Sequence, residues 1–342
     1  MLVTPSLYRG TMLPRYAPPL KAGDRIAVTA PSSGVSDGMR PRLDFAVESL
    51  RAAGYEVELG QHIRESGSHV SAPVQQRAEE LMRMLLDPAI AAIVPPWGGE
   101  TAIDLLPHLD FELLRSVQPK WVVGYSDIST LLVPLTLVSG WATLHGDNLM
   151  DTPYESPFPS WLTVAGTTGT VRQHASRVRK TGEWSADPRA TTHDFAPTSG
   201  WRRLDSGDDV TATGRLIGGC IETVSRVIGS AYGDVSQLDG PHLVYLEAAE
   251  ENAFSICRAL HGMRLAGFFA LASAIMIGRT AAPDSPTLTQ DEAVLDALGA
   301  LGIPVVAGVD IGHVPPQAQL VNGAPATLRV SAEEQWVEQS LQ

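Results

Sequence analysis

Apolar and polar positions follow two alternating periods over the first 150 residues. Residues 24–30 (Asp-Arg-Ile-Ala-Val-Thr-Ala) read as a strand, closed by the turn-forming Pro31-Ser32-Ser33-Gly34. Leu43, Ala46, Val47 and Leu50 then fall at i, i+3, i+4 and i+7, which is one apolar face of a helix, and Gly54 stands where a helix end wants tolerance of positive φ. Tyr55, Val57 and Leu59 alternate with Glu56 and Glu58, the period of a strand with one wet face. Pro73 opens a second helix with Val74, Ala78, Leu81, Met82 and Leu85 on one side, and Asp87-Pro88 ends it. Residues 89–97 predict a buried strand punctuated by Gly98-Gly99, residues 102–114 a helix broken near Pro107, and Trp121-Val122-Val123-Gly124 another short strand before an apolar helix over 130–138. Strands alternating with helices predict an α/β fold with a doubly wound parallel sheet, whose sites lie beyond the carboxyl ends of the strands.

The pattern is lost from about Asp151 to Asp209, where Pro153, Pro157, Pro159, Pro188 and Pro197 mix with Gly, Thr, Ser and several Trp. So long an irregular stretch points to a functional or mobile segment. A second set of elements begins near Thr211: a strand or turn at 214–219, strand 242–246, helix 252–263, strand 271–277, helix 291–300 and strand 304–309. The expected organisation is an N-terminal α/β domain over 20–150, a linker and Trp-bearing loop over 151–210, and a second C-terminal α/β domain over 211–335.

Composition narrows the function classes. The chain has 342 residues with 38 Asp plus Glu against 25 Lys plus Arg, a formal charge of −13 that repels phosphate backbones and anionic membrane surfaces. Nucleic acid and membrane partners are therefore not expected. The longest apolar stretch, residues 265–277, is interrupted only by Ser273 and is too short to span a bilayer. The first 18 residues lack the apolar run and cleavage site of a secretory signal, so a cytoplasmic protein is expected. Cys220 and Cys257 match neither a zinc nor a redox spacing and read as ordinary reduced residues.

Several weak motifs can carry chemistry. Gly124-Tyr125-Ser126-Asp127 sits between a strand and a helix, where a sharp turn presents a hydroxyl beside a backbone N–H free for an oxyanion; a plain helix cap is the competing reading. Gly98-Gly99 and Gly218-Gly219 can place bare N–H groups against an anion, or simply turn the chain. Glu247 ends a buried strand and can orient a histidine, a helix N-terminal charge cluster with Glu250 and Glu251 being the competing reading; His313 follows another strand as a candidate general base or a plain surface histidine. No zinc-peptidase His-Glu-x-x-His, phosphate-loop Lys or dinucleotide fingerprint is present, so neither metal nor cofactor is expected.

In order along the chain, residues 24–33, Gly98-Gly99 with Leu105-Leu106-Pro107-x-Leu109-Asp110, Gly124-Tyr125-Ser126-Asp127, 214–219, Leu246-Glu247 and Gly312-His313-x-x-Pro316 resemble the LD-carboxypeptidase family of serine peptidases, and within it the microcin C immunity (MccF-like) branch. The resemblance implies a Ser126–Glu247–His313 triad, an oxyanion hole at the N–H groups of Gly99 and Asp127, a site in the interdomain cleft, no cofactor and a homodimer. Cell-wall members release a terminal D-alanine from muropeptides; the microcin branch cleaves the amide joining an aminoacyl or peptidyl group to a nucleotide-like moiety. The loop with Glu183-Trp184 and Gly200-Trp201 resembles the base-stacking loop of the microcin branch, which makes Gly98, Trp184, Trp201 and Cys220 candidate substrate contacts. The chain departs from the family at Cys220, where Asn is usual, and at Glu100-Thr101-Ala102-Ile103, where the microcin branch carries an Asn/Ser-rich run. The expected function is hydrolysis of small peptidyl or aminoacyl-nucleotide conjugates, against muropeptide cleavage and a catalytically silent binding protein.

Overall fold

A computed structural model describes residues 12–64, 69–205, 207 and 209–341. The first sheet has six strands, in the order Leu320–Asn322, Thr143–His145, Trp121–Gly124, Ile90–Val94, Arg25–Val28 and Glu56–Leu59. The five N-terminal strands are parallel and the sixth, Leu320–Asn322, pairs antiparallel with Thr143–His145. Central strands such as Ile90–Val94 bury nearly every side chain, whereas Glu56–Leu59 lies at the edge and carries its acidic alternation. Helix Arg40–Ala52 turns Leu43, Ala46, Val47 and Leu50 to the core, as the heptad-like spacing requires.

The second sheet has eight strands, with Val210–Cys220, His242–Glu247, Ala272–Gly278 and Val305–Val309 parallel at its centre. Pro325–Val330, Gln335–Leu341 and Gly169–His174 extend it antiparallel on one side, and Arg202–Arg203 caps the other. Two expectations are corrected here. The segment 151–210 is more than a linker, because Gly169–His174 and Arg202–Arg203 are strands of the second sheet. The last strand runs on to Leu341, and Leu320–Asn322 crosses back into the first sheet, so the halves exchange strands rather than meeting at one boundary.

Helix Ser129–Leu137 explains how the halves are held together. All nine of its residues are buried. Leu131, Leu132 and Leu135 pack with first-half residues such as Leu105 and Leu106, while Val133 and Leu137 pack with Ile217, Ile221 and Val224 of the second half. Gly219, at φ 151°, lets the second sheet approach: a Cβ there would lie 2.6 Å from Ser129 Cβ. Gly218 lies closer still to the neighbouring strand, where a Cβ would run into Tyr245 O. Gly218-Gly219 is therefore a close-packing device and not an anion nest.

Candidate active site

The strand Trp121–Gly124 ends at Gly124 (φ 148°), where a Cβ would lie 2.8 Å from Asn148 Oδ1 and 2.8 Å from Ile128 Cγ2. The next residues turn sharply into the short 3-10 helix Ser126–Ile128 that leads into Ser129–Leu137. Ser126 has φ 63°, and no other described residue besides glycine has positive φ. An L-residue persists there only where its surroundings over-determine it, as at a strained strand-to-helix elbow. Thr223 Oγ1 donates to Ser126 O at 3.3 Å, and Ser126 Oγ has no hydrogen-bond partner among the described residues.

Asp127 is not the helix cap that local sequence allowed. Its Oδ2 accepts from Ser32 Oγ at 2.6 Å and from the Ala102 N–H at 2.8 Å, tying the Gly98-Gly99 loop to the elbow. Its own N–H lies in the first turn, where no intrahelical acceptor exists. Gly98 packs so closely that a Cβ would lie 2.9 Å from Ser126 Cβ, 3.0 Å from Ser126 Oγ and 3.3 Å from Asp127 N. Gly99 has φ 144°, and a side chain there would run into Ser32 and Ser33.

From the second sheet, Glu247 ends its strand fully buried, and His313 follows the strand Val305–Val309 on the loop through Gly312. His313 Nδ1 lies 2.8 Å from Glu247 Oε2. Gly312 (φ 87°) presses its bare Cα against the Glu247 carboxylate, leaving no room for a side chain. Burial alone would push Glu247 up, but the charge and hydrogen bond of His313, with His145 and the Cys220 thiol, hold it below the usual carboxylate value. Burial pulls His313 down, but Glu247, Glu222 and Asp151 outweigh it and raise the imidazole above its usual value. The His313 ring also packs on Tyr125, with centroids 4.9 Å apart.

Ser126, His313, Gly98 and Gly99 line one cavity of about 720 Å³ between the halves, with Trp97, Arg42, Tyr154 and Trp184 on its walls. Residues of this kind, a strained hydroxyl, an imidazole and a buried carboxylate bonded to its far nitrogen, can carry out nucleophilic acyl transfer. Trp184 is 43% exposed, sits edge-on to Tyr154 and His193, and borders the cavity. Two other substrate-contact candidates are placed elsewhere. Trp201 is 2% exposed in the core of the second sheet, donating Nε1–H to Asp310 Oδ2 at 2.7 Å, because Arg202–Arg203 pairs beside it with Val305–Val309. Cys220 is buried opposite Glu247 in the strand register, with its thiol directed to Glu222 at 3.1 Å, so it lies behind the cavity wall.

Four polar residues in or beside the site, Arg42, Asp147, Asp151 and His145, were given no role there by sequence reasoning. Arg42 comes from the core-facing side of helix Arg40–Ala52, is 5% exposed, donates to the carbonyls of Met150, Pro188 and Ala190, and lies over the Tyr154 ring. Asp147 and Asp151 are half-buried; desolvation, with the charge of Asp151, raises Asp147 to about 7, and desolvation raises Asp151 to about 6 against the opposing pull of Tyr125, Arg42 and His313. Gln317 and Gln319 donate to Asp147. His145, buried between Tyr125 and Tyr245, is lowered to about 4 and stays neutral. An Arg on an otherwise apolar helix face was the available signal for Arg42. Among the described residues one cluster has metal-ligand types, Cys257, His261 and Asp296. There Arg264 donates to His261 Nδ1, so Nε2 carries the proton that bonds Asp296 and is not a free ligand.

Fold and site define a two-domain α/β protein with a Ser, His and carboxylate grouping at the junction of its sheets. Residues 26–146 match the LD-carboxypeptidase N-terminal domain and residues 213–328 the LD-carboxypeptidase C-terminal domain. The chain belongs to the LD-carboxypeptidase family. It is 30% identical to a Synechocystis protein that bears a provisional carboxypeptidase name, over 91% of this chain and 93% of that one. It is 24% identical to the microcin C7 self-immunity protein MccF of Escherichia coli, over 91% and 92%. The fold superposes on MccF solved in complex with glutamyl sulfamoyl guanosine with a TM-score of 0.82 at 22% identity, covering 96% of this chain and 99% of that one. Among the described residues no helix is long and apolar enough to cross a membrane.

Proposed function

We propose that the protein is a serine hydrolase that cleaves the amide of peptidyl or aminoacyl-nucleotide conjugates, with Ser126 as nucleophile. His313 takes the Ser126 proton and returns it to the leaving nitrogen, and Glu247 fixes the imidazole with its proton on Nδ1 and stabilises the imidazolium. The N–H groups of Gly99 and Asp127 receive the oxyanion. A water then attacks the acyl-enzyme, with His313 as base. The observation that carries this reading is the strained Ser126 sharing a cavity with a histidine bonded at 2.8 Å to a fully buried carboxylate. Trp184 and Tyr154 on the same cavity favour a planar, stackable leaving group. MccF has been solved with aminoacyl sulfamoyl nucleosides, which supports the same substrate class here.

The second reading, release of terminal D-alanine from muropeptides, is supported by the family to which the chain belongs. Purified protein incubated side by side with an aminoacyl sulfamoyl adenosine and a muropeptide tetrapeptide, with Ser126→Ala as blank, separates the two. Cleavage of the adenosine conjugate is the expected result. Cleavage of the tetrapeptide alone assigns the second reading, and cleavage of neither contradicts both.

A further inference from the structure

The charges around the cavity are not evenly matched. At one end Arg42 is buried, with Nη2 lacking any hydrogen-bond partner, and the groups acting on its charge are Tyr154, Asp151 and Asp187. That end is electrically compensated. Near the Gly98-Gly99 turn the balance differs. Glu100 follows Gly99 directly, and Glu250 lies three residues after Glu247; both line the cavity and neither has an ion-pair partner among the described residues. Burial and the like charges of Glu250 and Asp127 raise the Glu100 carboxyl, so the two glutamates feel each other's charge across this side of the cavity. Glu222 adds a further carboxylate on this side, accepting from the N–H groups of Ala249, Glu250 and Glu251.

The chemistry orients a substrate between these ends. The leaving nitrogen must reach His313, which packs on Tyr125 and feels Asp151, the same carboxylate that acts on Arg42. The leaving group therefore extends toward the wall formed by Arg42, Tyr154 and Trp184. The acyl group is left on the Gly99 side, against Glu100 and Glu250. Resting on the function proposed above, we infer that the acyl portion carries a positive charge: a basic aminoacyl group, and not an acidic one, is what this cavity selects.

Binding to the Ser126→Ala variant tests the inference apart from catalysis. Calorimetric titration with lysyl sulfamoyl adenosine and glutamyl sulfamoyl adenosine should show the lysyl conjugate bound at least tenfold more tightly at low ionic strength. The gap should shrink with added salt, and close to within about threefold when Glu100→Gln and Glu250→Gln are combined, both positions being exposed and their exchange structurally mild. Equal binding of the two conjugates, tighter glutamyl binding, or a preference that survives the double substitution overturns the inference. Wild-type turnover is read separately. Failure to cleave either conjugate while the lysyl preference in binding holds counts against the hydrolase reading and leaves the charge selection standing.

Discussion

Gly98→Ala places a methyl group where the proposed chemistry has no room for one. The added Cβ would lie 2.9 Å from Ser126 Cβ, 3.0 Å from Ser126 Oγ and 3.3 Å from Asp127 N. Gly98 does not have the positive φ that would strain an alanine. The cost should fall on the nucleophile and the oxyanion N–H, and only modestly on the fold. Overpacking of this kind costs about 1–3 kcal/mol. Loss of one oxyanion donor costs about 10²–10³ in kcat, or about 2.7–4 kcal/mol of transition-state stabilisation. Gly98→Ala should therefore stay folded, with a melting temperature lower by a few degrees, and lose about 10²–10³ in kcat on an aminoacyl sulfamoyl adenosine while KM changes far less. The rate of Ser126 labelling by a fluorophosphonate should fall in parallel. Gly99→Ala is the contrasting variant. Its φ of 144° and a Cβ 2.7 Å from the Ser33 backbone nitrogen should cost stability as well as rate. A folded Gly98→Ala protein with kcat and labelling within threefold of wild type would refute the placement of the oxyanion hole.

Other consequences are equally specific. Glu247→Gln removes the charge that helps raise His313, so kcat should fall by about 10⁴ and the acid limb of kcat/KM should move to lower pH, read from a pH–rate profile. The two tryptophans should separate cleanly. Trp184→Ala should raise KM for nucleotide conjugates roughly 5- to 150-fold, the equivalent of about 1–3 kcal/mol of stacking, with little change in melting temperature. Trp201→Ala should instead destabilise the protein by about 3–5 kcal/mol in denaturant titration, because it empties a core site and strips Asp310 of a hydrogen bond. Asp147 has its folded pKa raised to about 7 from 3.8, so its contribution to stability is full below pH 3.8 and is lost as pH rises through about 7. Relative to wild type, Asp147→Asn should gain up to about 1.4 kcal/mol per pH unit between pH 5 and 7, measured by melting across that range.

How much of this was legible in the sequence follows from where the information is local. The strand at 24–30, the helix carrying Leu43 to Leu50 and the strand that ends in Glu247 were readable because each buries one face set by its own period. The Ser126 elbow was readable only as a weak motif; its strain, and the pressure of Gly98 on it, depend on a loop 28 positions earlier in the chain. Gly169–His174 escaped notice because its partner, Gln335–Leu341, lies half a chain away in sequence and the strand itself is largely exposed. Leu320–Asn322, only three residues long, likewise takes its place from Thr143–His145 in the first half. Trp184 and Trp201 stand in similar Pro- and Gly-rich surroundings, and nothing local separates them. What buries Trp201 is the pairing of Arg202–Arg203 with Val305–Val309 and the carboxylate of Asp310, all distant in sequence. Arg42 went unread for the converse reason: the periodicity that marks a helix face does not reveal that one of its core-side positions is an arginine held by three carbonyls.

The central claim is that Ser126 is acylated during turnover. It is tested most directly by labelling the purified protein with a fluorophosphonate and mapping the adduct by peptide mass spectrometry, alongside turnover of an aminoacyl sulfamoyl adenosine by wild type and Ser126→Ala. The account predicts a single adduct on Ser126, and loss of both label and turnover in the variant. An adduct on another residue, or turnover that survives Ser126→Ala, would contradict it.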